Sequence, residues 1–214
     1  MKKIILNVIC CFLALGVTSG CDNSKNNETS SNSSKKQFAE DTIINHVTIN
    51  NVKLSEINTM NDAMEKLNAE IESVAVCYKE TESDEGCRSY PFDKFESEEV
   101  EKNGISTLMF FFIMRDNGER FSFSTYYKTY KEKGNNSPYL SLSFISYNLI
   151  LLNNEYVENI SVNAIKEKYT LSYASDYLYY IDFESLDGDK YRYTGYSNSN
   201  LIEIFNYTER DRGL

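Results

Sequence analysis

Histidine and the usual catalytic motifs are nearly absent from this sequence of 214 residues. Its single histidine is His46, so acid–base chemistry based on histidine would depend on that one side chain. We expect a structural or surface role for it, because it stands in a strand-like segment. The sequence has no Gly-x-Ser-x-Gly or His-Glu-x-x-His motif and no glycine-rich phosphate loop. We therefore predict that the protein is not an enzyme. A carboxylate-dependent hydrolase stays open as an alternative, because paired carboxylates are defined by their distance in the fold.

No segment is long and apolar enough for a comfortable transmembrane helix. Residues 4–17 are apolar apart from Asn7, whereas a membrane-spanning helix needs about 20 apolar residues. Two lysines precede this stretch, and the small residues 18–20 stand directly before Cys21. A positive start, a short apolar region and a small-residue cleavage site are typical of a secretory signal peptide.

Residues 17–21, Val-Thr-Ser-Gly-Cys, resemble the lipobox of bacterial lipoproteins. The resemblance implies removal of residues 1–20 and a membrane anchor of diacylglycerol, with fatty acids such as palmitate, on Cys21. Asp22 resembles the signal that retains lipoproteins at the inner membrane, so we favour that membrane of the cell envelope over the outer one. An ordinary secretory signal and an uncleaved anchor stay open as alternatives.

The residues after the anchor are polar and unsuited to burial. Asparagine, serine and lysine dominate residues 22–37, a composition typical of a flexible tether with a reach on the order of 20–25 Å. We therefore divide the chain into a signal peptide (1–20), a lipidated cysteine with its tether (21–38) and a folded domain facing the periplasm (39–214).

Clusters of basic residues are also missing. The formal charge is −10, and loss of Lys2 and Lys3 with the signal makes it more negative by two. Nucleic acid is a poor partner, because neutralising its phosphates needs clustered lysine and arginine. The acidity instead suits a basic protein partner, with solubility alone as the alternative explanation.

Cysteine is scarce once the signal peptide and the anchor are set aside. Cys10 and Cys11 lie in the signal and Cys21 carries the lipid, which leaves Cys77 and Cys87. Such a pair in an exported protein predicts one disulfide, with two reduced buried thiols as the alternative. Two cysteines and one histidine offer no recognised zinc spacing, so we predict neither a metal nor another cofactor.

The strongest local charge lies between Lys79 and Glu101, where nine acidic residues face three basic ones. An acidic loop closed by the predicted disulfide could attract a basic partner and speed its encounter. A solvated loop without a partner is the alternative. The candidate partner-binding residues are Glu80, Glu82, Asp84, Glu85, Glu96, Glu98 and Glu99.

One long helix is predicted near the start of the folded domain. Apolar residues recur at spacings of three and four from Ile57 to Val74, as on one face of an amphipathic helix. Thr59 and Asp62 are spaced to form a capping box at its beginning. Shorter helices are predicted over 158–169 and 95–103.

The remaining apolar segments have the pattern of strands. Residues 108–114 are continuously apolar, which predicts a strand buried on both faces, and the switch of apolar parity near Phe144 predicts a bulge or a break. Asp116–Gly118 and Asp187–Asp189 predict hairpin turns, the latter in preference to part of a calcium loop. Strand-like runs cover 43–54, 74–78, 108–114, 120–126, 139–152, 177–183, 190–196 and 201–207.

These elements predict an α+β fold with an antiparallel sheet, one long helix and one or two short helices. The sequence Asn-Asn follows an apolar residue before each of two predicted helices, at 49–51 and 152–154. This internal similarity favours a tandem strand–helix–strands repeat with halves 39–135 and 136–214. The shape would be similar to small bacterial lipoproteins and inhibitors built from helix-plus-sheet repeats.

Three functions are compatible with these features. The first is a membrane-tethered, non-catalytic protein-binding module, in its sharpest form an immunity protein that inhibits a secreted toxin. The second is an assembly or structural accessory of the envelope. The third is the carboxylate-dependent hydrolase, acting on envelope polymers.

Overall fold

The computed structural model describes residues 36–78, 86–97, 100, 102–145, 150–197 and 199–213. Residues 211–213 are described by their backbone alone. All of them belong to one compact unit. This part of the chain contains five α-helices and thirteen strands in two antiparallel sheets, which confirms the α+β class.

The elements are short and follow one another closely. The strands are β1 (Val47–Ile49), β2 (Val52–Lys53), β3 (Ala69–Tyr78), β4 (Cys87–Pro91), β5 (Ile105–Met114), β6 (Arg120–Tyr126), β7 (Ser141–Ile145), β8 (Ile150–Leu152), β9 (Glu155–Tyr156), β10 (Tyr173–Ala174), β11 (Leu178–Glu184), β12 (Lys190–Tyr196) and β13 (Leu201–Asn206). The helices are α1 (Met60–Lys66), α2 (Phe92–Glu96), α3 (Tyr127–Lys133), α4 (Val162–Lys168) and α5 (Tyr207–Gly213).

The small sheet, of order β2-β1-β8-β9, is built from two copies of one hairpin. Each turn consists of two asparagines with positive φ, 48° and 65° at Asn50 and Asn51, and 53° and 67° in the second copy. Asparagine tolerates this left-handed conformation, which type I′ hairpin turns require at both positions. Thr48 pairs with Leu151, which holds the same place in the second hairpin, so the two copies meet symmetrically.

The same sequence of elements follows both hairpins. A 3₁₀ turn leads to a capped helix, with Thr59 accepting from the Asp62 N–H before α1 and Ser161 accepting from the Ala164 N–H before α4, each at 3.2 Å. Three antiparallel strands come next, β3-β5-β6 in the first half and β11-β12-β13 in the second. The predicted strand–helix–strands repeat is therefore present in the fold.

The large sheet joins the two sets of three strands through β7. Its order is β10-β11-β12-β13-β7-β6-β5-β3-β4, and every neighbouring pair is antiparallel. One face, the inner face, packs into a single core cluster with α1, α2, α4 and the small sheet. Representative members of that cluster are Ile49, Met60, Phe95, Phe110, Leu142, Ile165, Tyr193 and Ile204.

The long helix predicted from Ile57 to Val74 is wrong beyond its first turns. α1 ends at Lys66, and Asn68 has a positive φ of 47°. The backbone N–H of Arg115 donates to the Asn68 carbonyl at 2.9 Å, which ties this turn to the end of β5. The chain then enters β3 instead of continuing the helix.

A β-bulge in β3 explains why the sequence pattern is misleading there. The register of β3 against β5 shifts between Ile71 and Ser73. Ile71 pairs with Phe112 and Val74 with Phe110, so both face inward although they are three positions apart in the sequence. A bulged strand therefore reproduces the apolar spacing of a helix.

Three further details differ from the sequence-based expectation. In place of the helix expected over 95–103, the structure has the shorter helix α2, which begins at Phe92 and ends at Glu96. Helices α3 and α5, which follow β6 and β13 directly, are not among the predicted elements. The run 139–152 divides into β7 and β8, which belong to different sheets, so the parity switch marks a break.

Candidate functional site on the outer face of the large sheet

Most of the residues selected from the sequence as binding or attachment sites lie outside the described residues. These are Cys21, Glu80, Glu82, Asp84, Glu85, Glu98 and Glu99. Glu96 is described, and it lies exposed at the end of α2. The binding role of the acidic segment therefore stays a prediction.

The predicted disulfide between Cys77 and Cys87 is present. The two cysteines face each other directly across β3 and β4, with their Cα atoms 4.0 Å apart. The bond holds the edge strand β4 on the sheet and closes the acidic loop that separates the two strands.

The side chains that suggested chemistry in the sequence make structural contacts. His46 Nδ1 lies 2.7 Å from Tyr169 Oη, which also accepts from Asn153 Nδ2 at 3.2 Å, so this contact joins the two halves of the repeat. In the turn at 187–189, the Ser185 N–H donates to the Asp189 carbonyl, and Lys36 forms an ion pair with the Asp189 carboxylate. Among the described residues, no group of three potential metal ligands occurs, and no helix is long and apolar enough to span a membrane.

The large sheet has a second, outer face, defined by the side chains that alternate with the buried ones. A central row crosses five strands in register: Thr194, Glu203, Ser143, Ser122 and Phe111. The apolar side chains of this face do not belong to the core cluster and do not pack against it. They are Met109, Phe111, Ile113, Ile145, Leu178, Tyr180, Tyr196, Leu201 and Phe205.

The expectation that 108–114 is buried on both faces is therefore wrong. Phe110 and Phe112 are fully buried on the inner face of β5, whereas Phe111 and Ile113 are partly exposed on the outer face. The continuous apolar run reflects two apolar faces, of which the described part of the chain covers one. An apolar sheet face that remains accessible is typical of a binding surface.

A guanidinium group is already bound on this outer face. Arg192 on β12 donates from Nε and Nη2 to the two carboxylate oxygens of Asp182, at 2.7 and 3.0 Å. Its Cζ lies 4.7 Å from the Tyr180 ring centroid and 5.3 Å from that of Tyr207 in α5. The hydrogen bonds from Arg192 lower the pKa of Asp182, which stays ionised.

Two more acids of the outer face have an arginine partner. Arg120 donates to both carboxylate oxygens of Glu72, at 2.9 and 3.0 Å, and these bonds lower the pKa of Glu72. Arg115 Nε donates to Glu70 at 3.0 Å. Arginine–carboxylate pairs with parallel hydrogen bonds are thus a repeated feature of this face.

Glu203 differs from these acids in its surroundings. It stands at the centre of the face, where Ser143 and Thr194 are its neighbours across the strands and Leu201 and Phe205 are its neighbours along β13. Ser143 makes a hydrogen bond to the carboxylate, and burial raises the pKa of Glu203. Among the described residues, no lysine, arginine or histidine forms an ion pair with it.

The sequence of β13 contains a feature of this site that a simple alternation of apolar and polar residues does not explain. Residues 201–205 read Leu-Ile-Glu-Ile-Phe, with apolar side chains at both parities and one acid between them. The acid therefore lies on a face that is otherwise apolar at this strand. Comparison of the chain with known protein families, curated proteins and solved structures found no match.

Proposed function

We propose that this chain is an exported, lipid-anchored protein that binds a protein partner through the outer face of its large sheet and has no catalytic role of its own. The observation that carries the proposal is the set of nine apolar and aromatic side chains on that face that lie apart from the core. These side chains form two partly exposed groups, one on β5 and one on β11 to β13 with Ile145, and the serines of β6 and β7 lie between them. Apolar side chains that remain accessible on a folded domain are typical of interaction sites. The Ser122 and Ser143 hydroxyls of the central row add partly exposed polar groups that a partner can satisfy.

A small, acidic, anchored binding protein suits inhibition of a partner that reaches the cell envelope. The sharper form of our proposal is therefore an immunity or inhibitor protein that sequesters a basic secreted toxin. Negative charge on the inhibitor would speed the encounter with such a partner. A flexible tether would keep the face accessible above the membrane.

The binding function is tested by capturing partners from envelope extract of the same cells with the full-length protein. We expect one stoichiometric partner, and loss of that partner with the double variant Phe111→Ser and Leu201→Ser. The matched control is Tyr177→Ser with Leu186→Ser, since these residues are 79% and 64% exposed and lie outside the strands of the large sheet. A partner retained by the first variant, at unchanged thermal stability, would remove the outer face from the proposal.

The anchor is tested separately at the attachment site. We expect the wild-type protein to incorporate radiolabelled palmitate and to sediment with membranes after export. Cys21→Ser should abolish the incorporation of palmitate, because it removes the thiol that carries the lipid. Label retained by Cys21→Ser would show that the lipobox resemblance is misleading.

A further inference from the structure

We propose that Glu203 receives an arginine side chain from the partner that docks on the outer face. This inference rests on the proposed binding function and specifies its chemistry: the partner is a basic protein that presents a guanidinium group from an otherwise apolar surface. Four observations on the face support it.

The first observation is the pairing of three other acids on this face. Glu70, Glu72 and Asp182 each accept hydrogen bonds from an arginine of this chain. Their side chains are 56%, 44% and 44% exposed, so water already solvates them in part. Glu203 is less exposed, yet no described lysine, arginine or histidine forms an ion pair with it, and Arg192, which faces it from β12, is held by Asp182.

The second observation is the cost of leaving this carboxylate unpaired. Glu203 lies between the apolar side chains of Leu201 and Phe205 along β13, and one hydroxyl group, that of Ser143, makes a hydrogen bond to it. A carboxylate in such surroundings loses hydration that one hydroxyl does not replace. A cation from the partner would remove this cost when the partner binds. The Glu203 carboxylate therefore favours a positively charged partner over a neutral one.

The third observation is the chemistry around the carboxylate. Tyr196 lies close enough to Glu203 for the carboxylate to raise the pKa of the phenol, after burial as the larger cause. Phe205 follows on the same strand and contacts Tyr207 at a ring-centroid distance of 5.0 Å. Aromatic rings beside a carboxylate suit a planar guanidinium, which stacks and donates two parallel hydrogen bonds.

The fourth observation is the precedent on the same face. Arg192 shows the expected geometry within the chain itself: two hydrogen bonds to one carboxylate, with the ring centroids of Tyr180 and Tyr207 at 4.7 and 5.3 Å from its Cζ. We expect the partner's arginine to bind Glu203 in this way. The overall charge of −10 would assist the approach of a basic protein.

The test uses two peptides that differ only at the central side chain, acetyl-Gly-Leu-Arg-Leu-Gly-amide and its citrulline counterpart. Citrulline keeps the planar shape of arginine and removes its charge. The full-length protein is held in nanodiscs of uncharged phosphatidylcholine, and amide chemical shifts are followed by NMR. We expect saturable shifts at Ser143, Thr194 and Leu201, with the arginine peptide binding at least tenfold more tightly.

Two variants assign this preference to one carboxylate. Glu203→Gln should reduce the affinity of the arginine peptide to that of the citrulline peptide. Glu184→Gln removes the same charge from an exposed position on β11 and should leave both affinities unchanged. Equal affinity of the two peptides, shifts outside the outer face, or an unaffected Glu203→Gln protein would each overturn the inference.

Thermal stability distinguishes a Glu203→Gln protein that has lost the site from one that is misfolded. Burial raises the pKa of Glu203 above 4.5, so the folded state binds its proton more tightly than the unfolded state. The stability due to this group falls as the pH rises from 4.5 through the folded pKa. The titratable or charged groups that face Glu203 are Tyr196 and Arg192 on β12. The residues that face it from β7, which are Ser141, Ser143 and Ile145, carry no charge. Glu203→Gln should therefore melt at or above the wild-type temperature at pH 7.

Capture of the natural partner distinguishes the two levels of the proposal. A partner that binds wild-type and Glu203→Gln protein equally would retain the binding function and reject the arginine site. Absence of any partner in the wild-type capture would reject the binding function itself, whatever the peptides do.

Discussion

Replacing Phe110 with alanine is expected to lower the free energy of unfolding by about 4 kcal/mol. Phe110 is fully buried on the inner face of β5. Its ring centroid lies 5.0 Å from that of Tyr130, 6.2 Å from Phe92 and 6.3 Å from Phe95. The substitution leaves a cavity among three rings that are held by α2 and α3. Thermal unfolding followed by circular dichroism should show a melting temperature lower by about 8–16 °C.

The matched control is the next residue along the same strand. Phe111→Ala removes the same number of atoms from the outer face, where the ring is partly exposed and does not join the core. We expect a loss of about 2 kcal/mol, because part of the Phe111 ring is already in water and less buried apolar area is lost than at Phe110. Equal losses for Phe110 and Phe111 would mean that both faces of β5 are covered in the folded protein, and the outer face would no longer be a candidate binding surface.

Local sequence patterns predict the repeated elements of this fold well. The hairpin turn at Asp116–Gly118, the cap at Thr59 and the repeat marked by the two Asn-Asn pairs depend on residues close in sequence. Such features need only the conformational preference of one or two residues, or one short side-chain hydrogen bond. The repeated order of hairpin, helix and three strands follows from them.

Predictions that depend on distant contacts are less successful. The helix pattern from Ile57 to Val74 satisfies the spacing rule, but the backbone N–H of Arg115 ties down Asn68 and the bulge beside Ile71 changes the register of β3. Arg115 and β5, the partners of the segment in these contacts, both lie outside it. The strand or helix state of the segment is thus decided by pairing with β5.

The candidate site is harder to predict because its members come from separate strands. Ser143, Thr194 and Glu203 become neighbours only when β7, β12 and β13 pair in the observed register. The acidic segment attracts attention in the sequence because its charges are contiguous. A single acid among apolar residues, such as Glu203, has no contiguous signature, and its lack of an arginine partner becomes visible only beside Glu72 and Asp182.

A glycine on the inner face gives the second large expected effect. Gly195 on β12 pairs with Tyr179 on β11, and the tyrosine ring lies over the glycine. A Cβ atom added at Gly195 would lie 2.3 Å from Tyr179 Cζ and 2.4 Å from its Oη. Tyr179 is 3% exposed and packs beside Tyr193, so its ring has no free space to enter. We expect Gly195→Ala to cost about 3 kcal/mol of unfolding free energy in chemical denaturation.

Two comparisons show whether this cost comes from the tyrosine ring. Gly86→Ala adds the same methyl group where no atom lies within 4 Å, and it should change the unfolding free energy by less than about 0.5 kcal/mol. In a Tyr179→Leu background the ring is gone, so adding Gly195→Ala should cost less than it does in the wild type. The difference is an interaction energy of about 2 kcal/mol between the two positions. A full additional loss in that background would contradict the explanation, because the cost would then arise from the backbone of β12 and not from the overlying ring.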